Sequence, residues 1–175
     1  MLHNEGLRSG GGDEQAITLR RYWELCVSTK QASILREFIR VLNAGVDFYR
    51  SAQAEWVSSP YQSFLDDMVV VRTDALARLK PLLVTQTKEI EKAKAAAGQR
   101  GHIKDGYAEL MTQIKSSESK DYIVQLEELE GRVLKDWRSL MDGPLSADAR
   151  IVLIDIYSML AESHNRLRAM KRALT

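Results

Sequence analysis

The sequence predicts an all-α protein, built as an antiparallel four-helix bundle with a short connecting helix and an extra amino-terminal helix. Large apolar residues recur every seven positions at Leu35, Leu42, Tyr49 and Trp56, which is typical of one face of a long amphipathic helix. Only 3 prolines and 10 glycines occur in the 175 residues, and most of them separate periodic stretches. Four long amphipathic helices bury their apolar faces most simply against one another.

Two small additions are expected before the bundle domain. Residues 1–12 end in three glycines and predict a flexible arm. Acidic residues then begin the extra helix over 13–28, whose apolar stripe includes Trp23 and Cys26. The bundle domain is assigned to 29–175. A capping box formed by Ser28 and Gln31 would separate the extra helix from the next one, although the two could equally be one bent helix.

The first two core helices are expected over about residues 29–57 and 60–97. Ser59 and Pro60 supply a cap and a first-turn proline between them. Pro81 lies inside the second helix, where it removes one backbone donor and crowds the preceding turn. We therefore expect Pro81 either to kink this helix or to divide it.

The remaining helices follow a longer connection. A short helix is predicted over about residues 104–116, inside the connection between the second and third core helices. The third core helix is expected over about 119–141 and ends before Gly143 and Pro144, which break the chain. Ser146 is the predicted amino-terminal cap of the last helix.

The composition excludes several classes of protein. Hydrophobic residues make up 45% and charged residues 28% of the chain, which is the balance of a folded domain with a solvated surface. The 25 Lys and Arg residues and 24 Asp and Glu residues give a net charge of +1, which argues against a nucleic-acid partner. Because Cys26 is the one cysteine, an internal disulfide and a thiolate zinc site are excluded.

The sequence also argues against membrane insertion. Its longest candidate apolar run is Met68-Val-Val-Val71, far below the roughly 20 residues that cross a bilayer. The amino terminus has no apolar core of a secretory signal. We therefore expect a cytoplasmic protein.

Three stretches of the sequence resemble those of a known family. They are Asn43-Ala-Gly45 with Phe48-Tyr49 and Ala52, Gly106-Tyr107 to Lys115, and Ser163-His-Asn-Arg-Leu-Arg168. In this order and spacing they resemble the bacterial ferritin-like four-helix-bundle proteins classed as domain of unknown function 2383. The resemblance covers about residues 31–174. It implies a ferritin-like bundle, a bacterial source and no assigned reaction.

A ferritin-like bundle raises the question of a di-iron site, which needs Glu-x-x-His on two of its helices. This chain has no such motif, and its nearest approach, Glu162-Ser-His164, places the two side chains on different faces of a helix. We predict no metal, no cofactor and no catalytic residue. The alternative is a ferritin-like metal-binding protein or oxidase with a non-standard site, built from Asp47, Glu127, Glu130 and Glu162 with His164.

Three polar residues fall on or beside the apolar stripes, where a metal site would otherwise lie. Arg72, Glu130 and His164 are therefore predicted to form a buried polar cluster, with Arg72 and Glu130 as an ion pair. In the alternative arrangement Arg72 extends past its neighbours to solvent. A buried pair of this kind would specify helix register rather than perform chemistry.

The leading interpretation is a non-enzymatic, stress-related protein that acts through protein contacts or self-association, as a homo-oligomer or with a protein partner. The extra helix with Trp23 and Cys26 is the candidate assembly element, because a further amphipathic helix must cover something. A weaker alternative is a sensor bundle that holds a small apolar ligand between its helices.

Overall fold

The computed structural model describes residues 11–56, 60–90, 102–113 and 119–174. The described chain is helical throughout apart from short turns, and it contains no strand, which confirms the all-α prediction. Its five helices are α1 (Gly11–Glu55), α2 (Gln62–Ile90), α3 (His102–Gln113), α4 (Ser119–Met141) and α5 (Ala147–Arg172). None of these helices is both long and apolar enough to cross a membrane.

The first helix is longer than expected. α1 runs for 45 residues without a break at residue 28, which is the second of the two arrangements that the sequence allows. Neither glycine nor proline occurs between residues 13 and 31, so nothing in this stretch interrupts the helix. Gln31 does not take part in a capping box; its Oε1 instead accepts a hydrogen bond from the backbone N–H of Ser146, at 2.5 Å.

The second helix begins two residues later than expected and is not divided. Pro60 and Tyr61 form a turn, and the Tyr61 carbonyl accepts the first hydrogen bond, from Leu65 N at 3.0 Å. Helix α2 continues past Pro81, which lies on its exposed side, to Ile90. The buried side chain of Leu79 anchors the turn before the proline, so packing maintains the helix where one hydrogen bond is lost.

The four long helices contact one another in a ring. Helix α1 packs on α2, α2 on α5, α5 on α4, and α4 on α1, while α3 packs on α1 and α4. Ion pairs join Arg78 to Asp155 and Arg166 to Asp67, so α2 and α5 are antiparallel. Neighbouring long helices in the ring all run in opposite directions, and α1 and α5 therefore run in the same direction.

Two apolar clusters fill the interior. The cluster beside the α1–α2 turn is rich in aromatic rings, and Phe48 stacks on Tyr122 with ring centroids 5.8 Å apart. In the other cluster, nearer the α4–α5 turn, Phe38 packs on Trp137 with centroids 4.0 Å apart. The indole N–H of Trp137 donates to the carbonyl oxygen of Leu153 at 3.4 Å, so this ring is fixed by both packing and a hydrogen bond.

The α4–α5 turn (residues 142–146) packs against α1 and marks one end of the helical body. Ser146 caps α5 as predicted, since its side chain accepts from Ala149 N at 3.2 Å. A β-carbon at Gly143 would lie 2.6 Å from Cδ1 of Ile34, so the turn lies directly on α1. Residues 11–30 of α1, called here the amino-terminal extension, lie beyond this level and span about 30 Å at 1.5 Å per residue.

Candidate functional site

An arginine lies in the apolar interior of the protein. Arg72 occupies the buried face of α2 between Met68 and Ala75, and it is 1% exposed. Its Nη2 atom lies 2.5 Å from Oε2 of Glu130 on α4, which is 3% exposed. Arg72 and Glu130 therefore form a buried ion pair, and the arrangement in which Arg72 extends to solvent is not the one observed.

Two tyrosines complete the hydrogen bonding of this pair. The hydroxyls of Tyr49 and Tyr107 donate to Oε1 of Glu130 at 2.6 and 2.8 Å. Nη2 of Arg72 also donates to the Tyr107 hydroxyl at 3.4 Å, and its Cζ lies 4.6 Å from the centroid of the Tyr49 ring. Since the tyrosines belong to α1 and α3, these four residues join every helix except α5. They are called here the buried charge network.

Gly45 on α1 provides the space that the arginine occupies. A β-carbon at this position would lie 2.5 Å from Nε and 2.8 Å from Cδ of Arg72, and 3.3 Å from the hydroxyl oxygen of Tyr107. Glycine inside a helix costs about 1 kcal/mol relative to alanine. The close approach of Arg72 gives that unfavourable residue a structural reason.

The surroundings of the network raise the pKa of Arg72 and of both tyrosines. Burial alone would lower the pKa of Arg72, but the attraction of Glu130 and the two tyrosines outweighs burial and raises it. Burial, followed by the negative charge of Glu130, raises the pKa of both Tyr49 and Tyr107 well above the ordinary range. Arg72 and both tyrosines therefore remain protonated and can donate to the carboxyl group of Glu130.

This arrangement is suited to holding helices rather than to reacting with a substrate. Both oxygens of the Glu130 carboxylate are occupied by protein donors. The side chains of Arg72 and Glu130 are 2% and 3% exposed, so their charged atoms are withdrawn from solvent. A buried charge pair whose hydrogen bonds are satisfied favours one helix register, because any shift would leave a charge without its partner.

His164 does not join the network. Its Nε2 lies 3.1 Å from Oε1 and 3.2 Å from the backbone oxygen of Glu127, one turn of α4 away from Glu130. Because both neighbouring atoms are acceptors, Nε2 carries a hydrogen and donates. Lys171 Nζ approaches Oε2 of Glu127 at 2.8 Å, and Arg168 Nε lies 3.5 Å from Oε1. These residues form a separate cluster between α4 and α5.

The pKa of Glu127 reflects this cluster. The hydrogen bond from Lys171 is the largest influence and lowers the pKa below the ordinary value. Burial acts in the opposite direction, and the charges of Lys171 and His164 lower the pKa further. Glu127 is thus held as a carboxylate that links α4 to the carboxyl-terminal turns of α5.

The carboxylates of the alternative metal site do not converge. Asp47 and Glu162 are exposed, Glu127 belongs to the cluster with His164, and Glu130 belongs to the buried charge network. Within the described residues, no group of three or more His, Cys, Asp and Glu side chains is placed to hold a metal ion. The described geometry gives this alternative no site.

The candidate assembly residues lie in the amino-terminal extension. Cys26 is half-buried, and Ile17, nine residues earlier, is 53% exposed. Trp23 belongs to α1, but its side chain lies outside the described residues. Among residues 17–30, every side chain that the structure describes is exposed or half-buried.

The sequence alone identified two of the four network residues. Tyr49 belongs to the stripe of large apolar residues and Tyr107 to a stretch that carries the family resemblance, and the sequence indicates no partner for either hydroxyl. A buried tyrosine usually finds a hydrogen-bond partner, and this is the signal that could have identified them. Gly45 in the middle of a long helix was a second signal, because an interior glycine often marks a close approach.

Comparison of the chain with protein-family models, with curated proteins and with solved structures gave no match in any of the three. The functional interpretation therefore rests on the geometry.

Proposed function

We propose that this protein is a non-enzymatic helical bundle of the ferritin-like type that acts through self-association, and that the amino-terminal extension is its assembly element. The observation that carries the proposal is the position of this extension. α1 continues for 20 residues beyond Gln31, where the α4–α5 turn packs, and the described side chains there are exposed or half-buried. A helix in this position is available to a partner.

The physical chemistry of a projecting helix supports a partner. Most helices in proteins are stabilised chiefly by the packing of an apolar face against other parts of the structure, rather than by helix propensity alone. The extension carries an apolar stripe that includes Trp23 and Cys26, three residues apart, while Ile17 lies on the opposite side of the helix from Cys26. Covering this stripe in an oligomer would bury its apolar surface, and this burial would also stabilise the helix.

The remaining features agree with a structural role. In the buried charge network both carboxylate oxygens of Glu130 accept hydrogen bonds from protein donors, and the side chains of Arg72 and Glu130 are withdrawn from solvent. The antiparallel ring of long helices, with the short α3 in the connection between α2 and α4, supports the ferritin-like part of the proposal. No described feature favours the oxidase alternative over self-association.

Deletion of residues 1–28 tests the proposal. We expect the full chain to be an oligomer by light scattering coupled to gel filtration, and the truncated chain to be a monomer. The body should remain folded, because the buried residues that the structure describes begin at Gln31 and Ala32. The matched control replaces Arg20 and Glu24, an exposed ion pair on the extension, with alanine and should keep the oligomer. An unchanged mass and melting curve after the deletion would contradict the proposal.

A further inference from the structure

Two large apolar residues lie exposed and adjacent on the outer face of α5. Ile151 is 67% exposed and Ile154 is 52% exposed, and the two are three residues apart on one side of the helix. They are called here the α5 patch. Arg78 and Asp155, paired at 2.5 Å, border the patch where α5 meets α2, and together these residues line a shallow groove.

The α5 patch lies on the same end of the body as the amino-terminal extension. The hydrogen bond between Ser146 N and Gln31 Oε1 places the start of α5 level with Gln31 of α1. From this level α5 runs into the body, since it has the same direction as α1, while the extension runs away from it. The two apolar surfaces therefore lie on opposite sides of one plane, which passes through Gln31 and Ser146 perpendicular to the helix axes.

Their distances from this plane match. Ile151 and Ile154 lie five and eight residues after Ser146, whereas Cys26 and Trp23 lie five and eight residues before Gln31. At 1.5 Å per residue these positions are about 7.5 and 12 Å from the plane, on the inner and outer sides respectively. A two-fold axis in the plane, perpendicular to the helices, exchanges the two sides.

We propose that the amino-terminal extension of one copy docks on the α5 patch of a second copy, in a reciprocal two-fold dimer. The inference rests on the proposed function and identifies the surface through which self-association occurs. In this dimer Cys26 of each copy lies level with Ile151 of the other copy, and Trp23 lies level with Ile154. The extension runs antiparallel to the α5 on which it lies, as neighbouring helices in the body do.

The size of the resulting interface fits a stable dimer. Each extension is about 30 Å long and presents a face about 10 Å wide. Two-fold symmetry makes the contact twice, so the dimer buries on the order of 1,200 Å² in total, which is the lower end of the range for specific interfaces. The contact also removes Ile151 and Ile154 from water, and apolar burial is the main driving force for association.

Site-directed cross-linking tests this register. The chain has one cysteine, so the variant I151C contains two thiols, at the positions that the dimer brings together. With a short bismaleimide we expect a covalent dimer at least about fivefold more abundant than for V70C, since docking raises the effective concentration of the thiols. Val70 is a matched control because it is 66% exposed and belongs to α2 near the middle of the body. The double variant C26S/I151C should lose the cross-link.

The outcomes separate this inference from the proposed function. If I151C cross-links no better than V70C while deletion of residues 1–28 still gives a monomer, the docking surface is wrong and self-association stands. If C26S/I151C still forms the covalent dimer, two α5 helices meet and the register is wrong. If the full chain is a monomer at every concentration measured, both the proposed function and the docking surface are refuted.

Discussion

Replacement of Glu130 by glutamine, E130Q, tests the buried charge network most directly. The amide has the size of the carboxylate, and its oxygen still accepts from the hydroxyls of Tyr49 and Tyr107. The change therefore leaves packing in place and removes the negative charge 2.5 Å from Arg72, which is 1% exposed. What remains is a buried cation without a counter-charge.

The expected decrease in the free energy of unfolding of E130Q follows from the burial of both partners. Removing one partner of a buried pair destabilises a protein by about 3–5 kcal/mol. For a chain of 150–250 residues each kcal/mol shifts the melting midpoint by about 2–4 °C, so a decrease of roughly 6–20 °C is expected. Urea unfolding and thermal melting, both followed by circular dichroism, measure the two quantities.

A second variant separates the loss of charge balance from other effects. In R72M/E130Q the uncompensated cation is absent, and we expect this variant to be more stable than E130Q by about 1.5 kcal/mol or more. A loss below about 1 kcal/mol in E130Q would refute the reasoning, because such a loss is typical of a pair that reaches solvent. The Arg72 side chain would then extend past its neighbours to solvent, which is the alternative arrangement that the sequence allows.

Three further predictions concern other features of the molecule. G45A should destabilise the protein by about 1–2 kcal/mol, because the clash with Arg72 exceeds the gain in helix propensity; G131A, whose β-carbon would meet its nearest neighbour at 3.4 Å, should be neutral or stabilising in the same urea assay. The hydrogen bond from Lys171 lowers the pKa of Glu127 below its ordinary value of 4.5, so the stabilisation from this carboxylate is present above that pH and lost as the pH falls through the folded-state pKa. E127Q should therefore be less stable than the parent protein at neutral pH, and urea titrations should show the difference shrinking below about pH 4.5. Protein purified without chelator and incubated with ferrous iron should contain less than one metal ion per chain by mass spectrometry, and stoichiometric iron or manganese would revive the oxidase alternative.

The sequence predicted the helices and the ion pair because both depend on local pattern. Apolar periodicity identifies the buried face of a helix, and an arginine on that face needs a carboxylate from a neighbouring helix. Periodicity does not determine which neighbour each residue meets. Glu127 and Glu130 lie three residues apart on α4. The packing of α5 brings His164 to the first, and the packing of α2 brings Arg72 to the second.

The sequence pattern left two arrangements open at residue 28, a break between two helices or one continuous helix. A capping box and an uninterrupted helix use the same residue types, Ser28 and Gln31, and the choice between them depends on what Gln31 meets. In the folded chain Gln31 meets the backbone N–H of Ser146, 115 residues away. A contact so distant in sequence leaves no local signal.

Because α1 is one continuous helix, it acts as a rigid rod that belongs both to the body and to the extension. The direction in which the apolar stripe of the extension faces is then set by the number of residues between Cys26 and Leu35, at about 100° per residue. One residue inserted in this interval would turn the apolar stripe away from its present side, and seven would restore the side while moving the stripe outward by about 10.5 Å. The number of residues in this interval therefore sets both the distance of the stripe from the body and the side that it faces. Docking on a second copy requires both to be correct.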